Sequence, residues 1–444
     1  MPRPTRRTFG AAVALTAAAY SRVLGANDKV RLGVIGVGNR GDQLLDAFTV
    51  NLDCEIVALC DVYEPYLPAA NKKVGGAATV FKEYRKLLDE KSIDAAVIAT
   101  PDHWHALQFV DACRAGKDVY VEKPLSLTIG EGRRMCQVAA ETKRVTQVGL
   151  HRRSTPYVQE AVKMIRDGFI GQVTLAKSYM HRNETPMGIG NPADGDPPPG
   201  LDWDTWLGPA PKAAFNANKC LYKFRWFSNY SGGQLTNMGT HYLDIIQWAL
   251  GQDAPKGVDC LGGKYAVTDN RDIPDTMEAV WEYDNCLATF TQVNANGAAA
   301  NLRGWNMEFR GTLGTMLISD GDQGYEIIPE KMRLEEIPAL SPTARESNTR
   351  QGRAVKATQV HPAKKGPSDT ASHARNFLDC VKSRAVTNCP VEVGHRSTTA
   401  TLLAKLALER KRYLAWDAKA ERVTNDEDAN KLLTYEYRNP WVLG

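Results

Sequence analysis

Two short stretches of this chain carry side chains suited to proton and hydride chemistry. Glu122-Lys123-Pro124 closes the apolar run "DVYV", and "GGQLTNMGTHYLD" (232–244) places Asn237 four residues before His241. A lysine at the carboxyl end of a parallel strand points into the crevice where such sheets bind ligands. Burial beside another cation disfavours the ammonium, which lowers its pKa and suits a group that helps deprotonate a hydroxyl. The plainer alternative is that Lys123 merely pairs with Glu122. In the second stretch the glycines and Asn237 read as the entry to a helix that presents His241. Asp244, three residues on, shares its helical face; it either orients the imidazole or stabilises the helix, and we expect the second.

A third motif reads as a binding loop. "GVIGVGNRG" sets Gly36, Gly38 and Gly41 as G-x-G-x-x-G between an apolar run and a helical one, with Asn39 and Arg40 inside the loop. The first glycine makes the tight turn, the second lets the backbone approach a pyrophosphate, and the third allows close helix–strand packing. The helix N-terminus offers amide donors and a positive dipole end to the phosphates. Asp61 ends the next apolar run, 20 residues after Gly41, where a carboxylate accepts from a ribose diol and repels a 2′-phosphate. NAD is therefore favoured over NADP, with Arg40 as the group that could accommodate a phosphate. His103 and His105 in "PDHWHA" form an H-x-H pair without an apparent third ligand, so no metal site is expected.

The elements that must position these groups follow from the pattern. "VRLGVIG", "CEIVALCD", "ATVF", "DAAVIATP", "DVYVEKP" and "VTQVGL" are strand-like runs separated by helical stretches. Near-continuous Val/Ile/Ala strands alternating with helices predict a doubly wound parallel sheet, a Rossmann domain over 28–150. From 151 the texture changes. "QVTLAKSYMH", "TMEAVWEYD" and "CLATFTQVNA" alternate apolar with polar residues, which predicts an α+β domain over 151–361 built on a large open, mainly antiparallel sheet. The insert "NPADGDPPPGLDWDTWLGPAP" is too proline-rich for regular structure, and its tryptophans are expected to pack against that sheet. Residues 370–444 supply helices and a tail that close the fold.

The chain has 444 residues, 43% hydrophobic and 24% charged, with net charge +4. That length calls for two domains, and the scattered basic residues exclude a nucleic-acid footprint. Nine cysteines lie far apart without a C-x-x-C pair, which suits buried apolar thiols rather than disulfides or zinc. "TRRTFGAAVALTAAAY" sets Arg6-Arg7 before an alanine-rich run too short to span a membrane, and reads as a twin-arginine export signal over 1–26. The expected location is the periplasm or the outside of the cell.

"GVIGVGNRG", "ATPDHWHA", "VEKPLSLT" and "GGQLTNMGTHYLD" resemble the glucose–fructose oxidoreductase / inositol dehydrogenase (Gfo/Idh/MocA) family, and the tail "YRNPWVLG" resembles an exported bacterial subgroup of it. The resemblance implies NAD, a homo-oligomer built through the open sheet, and a saccharide or glycoside substrate; that the NAD is tightly bound is expected from the export signal. It makes Lys123 the catalytic lysine, often followed by a cis-proline, and His241 the general acid/base. It puts Thr100, Pro101, His105 and Glu122 with Lys123 on the nicotinamide side of the cofactor site. In the family's D-x-x-x-H element the aspartate position is Asn237 here, so an amide positions the substrate where a carboxylate is usual. Arg152, His181, Arg225 and Trp226 are candidate sugar contacts. The implied reaction is hydride transfer from a sugar secondary hydroxyl, with C3 expected. An exported enzyme lacks a pool of free NAD, so the cofactor is expected to be restored in the site. A second sugar can do this, or the substrate can take the hydride back after elimination and hydration, as in the NAD-dependent α-N-acetylgalactosaminidases. Met238 stands about where those enzymes carry a tyrosine, so their specificity does not transfer. A plain dehydrogenase and a non-catalytic sugar sensor retaining NAD are the alternatives.

Overall fold

The computed structural model describes residues 29–298, 304–319, 324–330 and 370–444. The export signal expected at 1–26 and the 331–361 end of the second domain lie outside them. Six strands form the first sheet: β1 (Val30–Ile35), β2 (Cys54–Cys60), β3 (Thr79–Phe81), β4 (Ala95–Ile98), β5 (Asp118–Val121) and β6 (Thr146–Val148). All pair in parallel, in the order β3-β2-β1-β4-β5-β6. The apolar runs are continuous because both faces are covered. Along β4, Ala95 and Val97 enter one cluster with Phe48 and Tyr120, while Ala96 and Ile98 enter the other with Phe109 and Val121. Helix α1 (Asn39–Thr49) packs on the first of these faces, and α2 (Asp102–Arg114) and α3 (Ile129–Thr142) on the second.

The second sheet has nine strands: β7 (Val173–His181), β8 (Gly257–Gly263), β9 (Thr276–Glu282), β10 (Leu287–Val293), β11 (Met307–Gly311), β12 (Gly314–Ile318), β13 (Tyr325–Pro329), β14 (Leu414–Asp417) and β15 (Arg422–Val423). Their order is β13-β12-β11-β7-β10-β9-β8-β14-β15, antiparallel except where β7 runs parallel to β10 at the centre. One face buries Trp281, Phe290 and Phe309 beneath α4 (Pro156–Arg166), α6 (Gly239–Leu250) and α8 (Val391–Arg410). Just before α6 runs the single turn α5 (Gly233–Asn237).

The C-terminal elements serve both domains. Phe377 of α7 (Thr370–Ser383) packs edge-on to Phe48 and Tyr120 of the first sheet, at ring separations of 6.3 and 5.8 Å. The 20-residue α8 accepts Leu125 N–H on Thr398 Oγ1 from the first domain. It also accepts Trp281 Nε1–H on the Ala400 carbonyl from the second. All nine cysteines are free and only Cys54 is partly exposed; burial is the main force raising their thiol pKa values, for example that of Cys260, to about 12.

The proline-rich insert departs from expectation twice. It contains a short helix, Trp203–Leu207, started by Asp202 whose carboxylate accepts Thr205 N–H at 2.9 Å. It also packs on the first domain rather than on the second sheet. Leu201 bridges Tyr63, Glu64 N–H donates to the Gly200 carbonyl, and Trp104 Nε1–H donates to the Trp206 carbonyl at 2.9 Å. Its prolines exclude long elements but leave room for one capped turn.

Asp244 settles into a structural place. Both its oxygens accept from Arg153 Nε at 2.9 Å, Oδ1 also accepts from Ser397 Oγ at 2.7 Å, and the carboxylate is 1% exposed. This network ties α6 to α8 and to the chain leaving β6. Asp244→Ala strands the Arg153 charge and should destabilise the fold by about 3–5 kcal/mol, with Asp244→Ala/Arg153→Met less damaged. Denaturant melts read this directly. Unchanged stability with a shifted pH–rate profile would instead make Asp244 an imidazole-orienting group.

Candidate active site

A cleft of about 530 Å³ runs along the carboxyl edge of the first sheet, with its far wall supplied by the second domain. At one end lies the glycine loop. Gly36 has φ +84°, and a Cβ on it would sit 2.8 Å from the Ala99 carbonyl oxygen; a Cβ on Gly41 would sit 2.0 Å from the Gly36 oxygen. The turn and the helix behind it therefore fit only glycine at these positions. Gly36, Gly38, Asn39 and Arg40 line the cleft, whereas Gly41 packs beneath the turn. No side chain caps α1, so its first-turn amides are available to a phosphate.

Asp61 follows β2 and lines the same end. Its oxygens accept Val37 N–H and Tyr63 N–H, each at 2.9 Å, and burial holds its carboxyl above the ordinary range. Each carboxylate oxygen keeps further lone-pair capacity for a ribose diol. Arg40 does not turn toward Asp61: its Nε donates to Glu122 Oε1 at 2.8 Å. The dinucleotide fit is thus that of NAD, with no guanidinium committed to a 2′-phosphate.

At the other end stand the groups with chemistry. Glu122 is spent on Arg40, so it forms no ion pair with Lys123. The Lys123–Pro124 peptide is cis, and Lys123 Nζ crosses to the second domain. There it donates to Asn237 Oδ1 at 2.6 Å and to the Asn237 carbonyl at 3.3 Å. The amide is oriented by its own Nδ2, which donates to Gln234 Oε1 at 3.1 Å. Asn237 ends α5, Met238 joins it to α6 in right-handed helical conformation, and His241 sits in the first turn of α6. Burial pushes the Lys123 ammonium down to about 8; Glu122 and Asp102 oppose the shift, while Arg225 and Arg40 add to it.

His241 is 3% exposed, and its Nδ1 has no hydrogen-bond partner among the described residues. Burial, then Arg152, Lys123 and His151, hold its pKa well below the ordinary imidazole value. The ring is therefore neutral at physiological pH, with its Nδ1 left for a substrate hydroxyl. His151 packs edge-on against it with centroids 5.1 Å apart. Asp102, at the start of α2, accepts Ser231 Oγ–H at 2.5 Å and so pins the second domain to the first.

Of the other expected contacts, Thr100, Pro101, Glu122, Arg152 and Arg225 line the cleft. His105, His181 and Trp226 do not. His105 lies behind the wall, its Nδ1 against the Pro124 carbonyl at 2.7 Å and its Nε2 against the Thr100 carbonyl at 2.9 Å. It braces the two segments that face the ligand. His103 Nε2 meets the Trp206 carbonyl at 3.0 Å, and among the described residues no group of three metal-ligating side chains exists. His181 ends β7 with Nδ1 against the Ala298 carbonyl, and its neighbour Arg182 lines the cleft instead; successive residues leaving a strand face opposite ways. Trp226 is buried under the Arg271 guanidinium, 4.2 Å from its ring. Sequence reading also missed His151, Arg182, Tyr222 and Ser231, which lie outside any motif.

Residues 30–150 match the GFO_IDH_MocA family described as an NAD-binding Rossmann-fold oxidoreductase family, and residues 156–300 and 358–443 match its C-terminal alpha/beta domain. An inositol 2-dehydrogenase of Rhizobium meliloti is 34% identical over 147 residues, 33% of this chain and 43% of that protein. A glycosyl hydrolase family 109 protein of Saccharopolyspora erythraea is 31% identical over 189 residues, 39% of this chain and 40% of that protein. The chain thus spans less than half the length of these curated relatives. The scyllo-inositol dehydrogenase of Lactobacillus casei, solved with NAD(H) and scyllo-inositol, shares the fold at TM-score 0.59 and 20% identity, covering 87% of this chain and 99% of that one. With both of its domains matched, and a glycine loop and acidic strand end shaped for NAD, the chain belongs to the Gfo/Idh/MocA family of NAD-binding oxidoreductases.

Proposed function

We propose that this chain oxidises a secondary hydroxyl of a saccharide, at C3, and that it does so with an NAD retained in the cleft. The observation that carries the reading is the Lys123 Nζ–Asn237 Oδ1 contact of 2.6 Å across the cleft beside a neutral, buried His241. Bound NAD supplies the hydride acceptor. Lys123 and His241 supply the proton chemistry: one takes the hydroxyl proton as the C–H bond breaks, and the other holds the oxygen in line. Asn237 orients a hydroxyl but cannot accept its proton. Retention of the cofactor is supported by the 191–211 insert, whose Thr205 and Trp206 wall the cleft, with Tyr222 beyond it, while Gly200 and Asp202 bond to the loop after Asp61.

A redox-neutral cycle fits a retained cofactor. Oxidation at C3 acidifies the C2 hydrogen, the C1 substituent is eliminated, water adds, and the ketone is reduced again, giving net glycoside hydrolysis. The glycosyl hydrolase family 109 relative supports this form, and the inositol dehydrogenase relative supports simple oxidation. Enzyme as purified, without added NAD, should release aglycone catalytically from a glycoside panel with no net rise in nicotinamide absorbance. Stoichiometric NADH with a stalled enzyme would make it a dehydrogenase. Lys123→Ala and His241→Ala should each lower turnover by about 100-fold or more with cofactor still bound; normal turnover in either would place the chemistry elsewhere.

The lowered Lys123 pKa fixes a pH dependence. Its free amine becomes the dominant form as pH rises through about 8, well below the 10.5 of an ordinary lysine. Oxidation should therefore rise to a plateau above about pH 8. Asn237→Asp puts a carboxylate against the ammonium and should move that limb up by about one to three pH units. A limb near 6.5, unmoved by Asn237→Asp, would assign the base to a histidine.

We also propose export by the twin-arginine route, on the strength of Arg6-Arg7 and the alanine-rich run. Cell fractionation should find the protein outside the cytoplasm and Arg6→Lys/Arg7→Lys inside it; equal distribution of the two would remove the proposal.

A further inference from the structure

The two walls of the cleft differ in charge. The first domain lines it with Asp61, Glu83, Asp102 and Glu122 as well as with Arg40, Lys82 and Lys123. From residue 151 onward the wall carries Arg152, Arg182 and Arg225 and no carboxylate. Asn237, the group that meets Lys123, is an amide and brings no charge. Arg225 acts on Lys123 and Arg152 on His241, as does Arg40 on both, and the Arg152 guanidinium lies 5.8 Å from the ring of Tyr242, the residue after His241.

The first-domain acids balance them only in part. Glu122 is paired with Arg40, Glu83 with Arg85, Asp61 is held by the Val37 and Tyr63 amides at the ribose end, and Asp102, capped by Ser231, acts on Arg225 without forming an ion pair with it. Arg182 and Arg225 have no carboxylate partner among the described residues. The Arg225 guanidinium lies 4.1 Å from the Tyr222 ring centroid, with none of its N–H groups spent on a described side chain. Stacking fixes the plane of a guanidinium and leaves its edge for a planar or tetrahedral oxyanion. Oxidised nicotinamide adds one more positive charge to the cleft. A neutral sugar would leave this surplus uncompensated in an enclosed cleft, where charges interact more strongly than in water.

We propose that the saccharide taken by this cleft bears an oxyanion, a carboxylate or a phosphate ester, received by Arg182 and Arg225. The proposal rests on the reading of the cleft as a sugar site and narrows its substrate class to acidic sugars.

The holoenzyme is offered hexuronides, their uncharged methyl esters, hexoside phosphates and neutral hexosides, with kcat/KM measured for each and binding followed by calorimetry. An anionic member should exceed its uncharged counterpart by about 10- to 100-fold, chiefly in KM. The uronide and phosphate arms show which anion is meant. Arg182→Gln/Arg225→Gln should bring that ratio toward unity, with the cofactor still bound and the melting temperature unchanged. Equal kcat/KM for acids and esters, or a ratio unmoved in the double variant, would overturn the proposal while leaving the oxidoreductase reading intact. Tight binding of an acidic sugar with no turnover of any saccharide would uphold the proposal and overturn that reading.

Discussion

The site depends on one contact between domains. Lys123 leaves the carboxyl end of β5 and reaches Asn237, the last residue of a single helical turn in the second domain, at 2.6 Å. Neither half is a site alone. The first domain brings the glycine loop, Asp61 and the lysine; the second brings the amide, His241 and the arginines. Whatever fixes the two sheets relative to each other therefore fixes the chemistry, because a misplacement of one ångström at reacting groups is costly.

Several elements do that fixing away from the cleft. Helix α8 touches both sheets, accepting the Leu125 amide on Thr398 and the Trp281 indole on Ala400. Its Ser397 joins Asp244 and Arg153, so the helix that carries His241 is anchored one turn below the imidazole. Ser231 and Asp102 close the other side. Position 244 thus stabilises the platform of the histidine without touching its ring, which explains why a carboxylate at that spacing need not be part of a proton relay.

The first domain was legible in the sequence because its signals are local. Strands buried on both faces read as unbroken apolar runs, and Gly41 is dictated by its contact with Gly36 within one turn, although Gly36 is also hemmed in by Ala99 beyond β4. The second sheet was half legible. β7, β9 and β10 alternate visibly, but β14 and β15 are short and enter the sheet from the far end of the chain, so only tertiary pairing reveals them. Among site residues the motif-borne ones were found, while Arg182, His151 and Tyr222 were not, since no local rule says which loop side chain turns inward. His181 was a miss by one position, decided by strand alternation. His105 was misplaced for a different reason: a buried histidine next to a ligand loop is equally suited to bracing that loop from behind, and its two carbonyl partners show that it does.

The asparagine shapes the lysine. A carboxylate at 237, in contact with Nζ, would stabilise the ammonium and raise its pKa, leaving a weaker supply of free amine near neutrality. The amide accepts the same hydrogen bond without the charge, so burial and the neighbouring Arg225 and Arg40 prevail and Lys123 falls to about 8. The same neutrality removes an anion that would repel an acidic substrate from the arginine wall. One exchange of oxygen for nitrogen thus does two things: it frees the lysine amine nearer neutrality, and it leaves the arginine wall without a carboxylate beside it. Both effects come from the absence of a single charge, which is why they belong together at this one position.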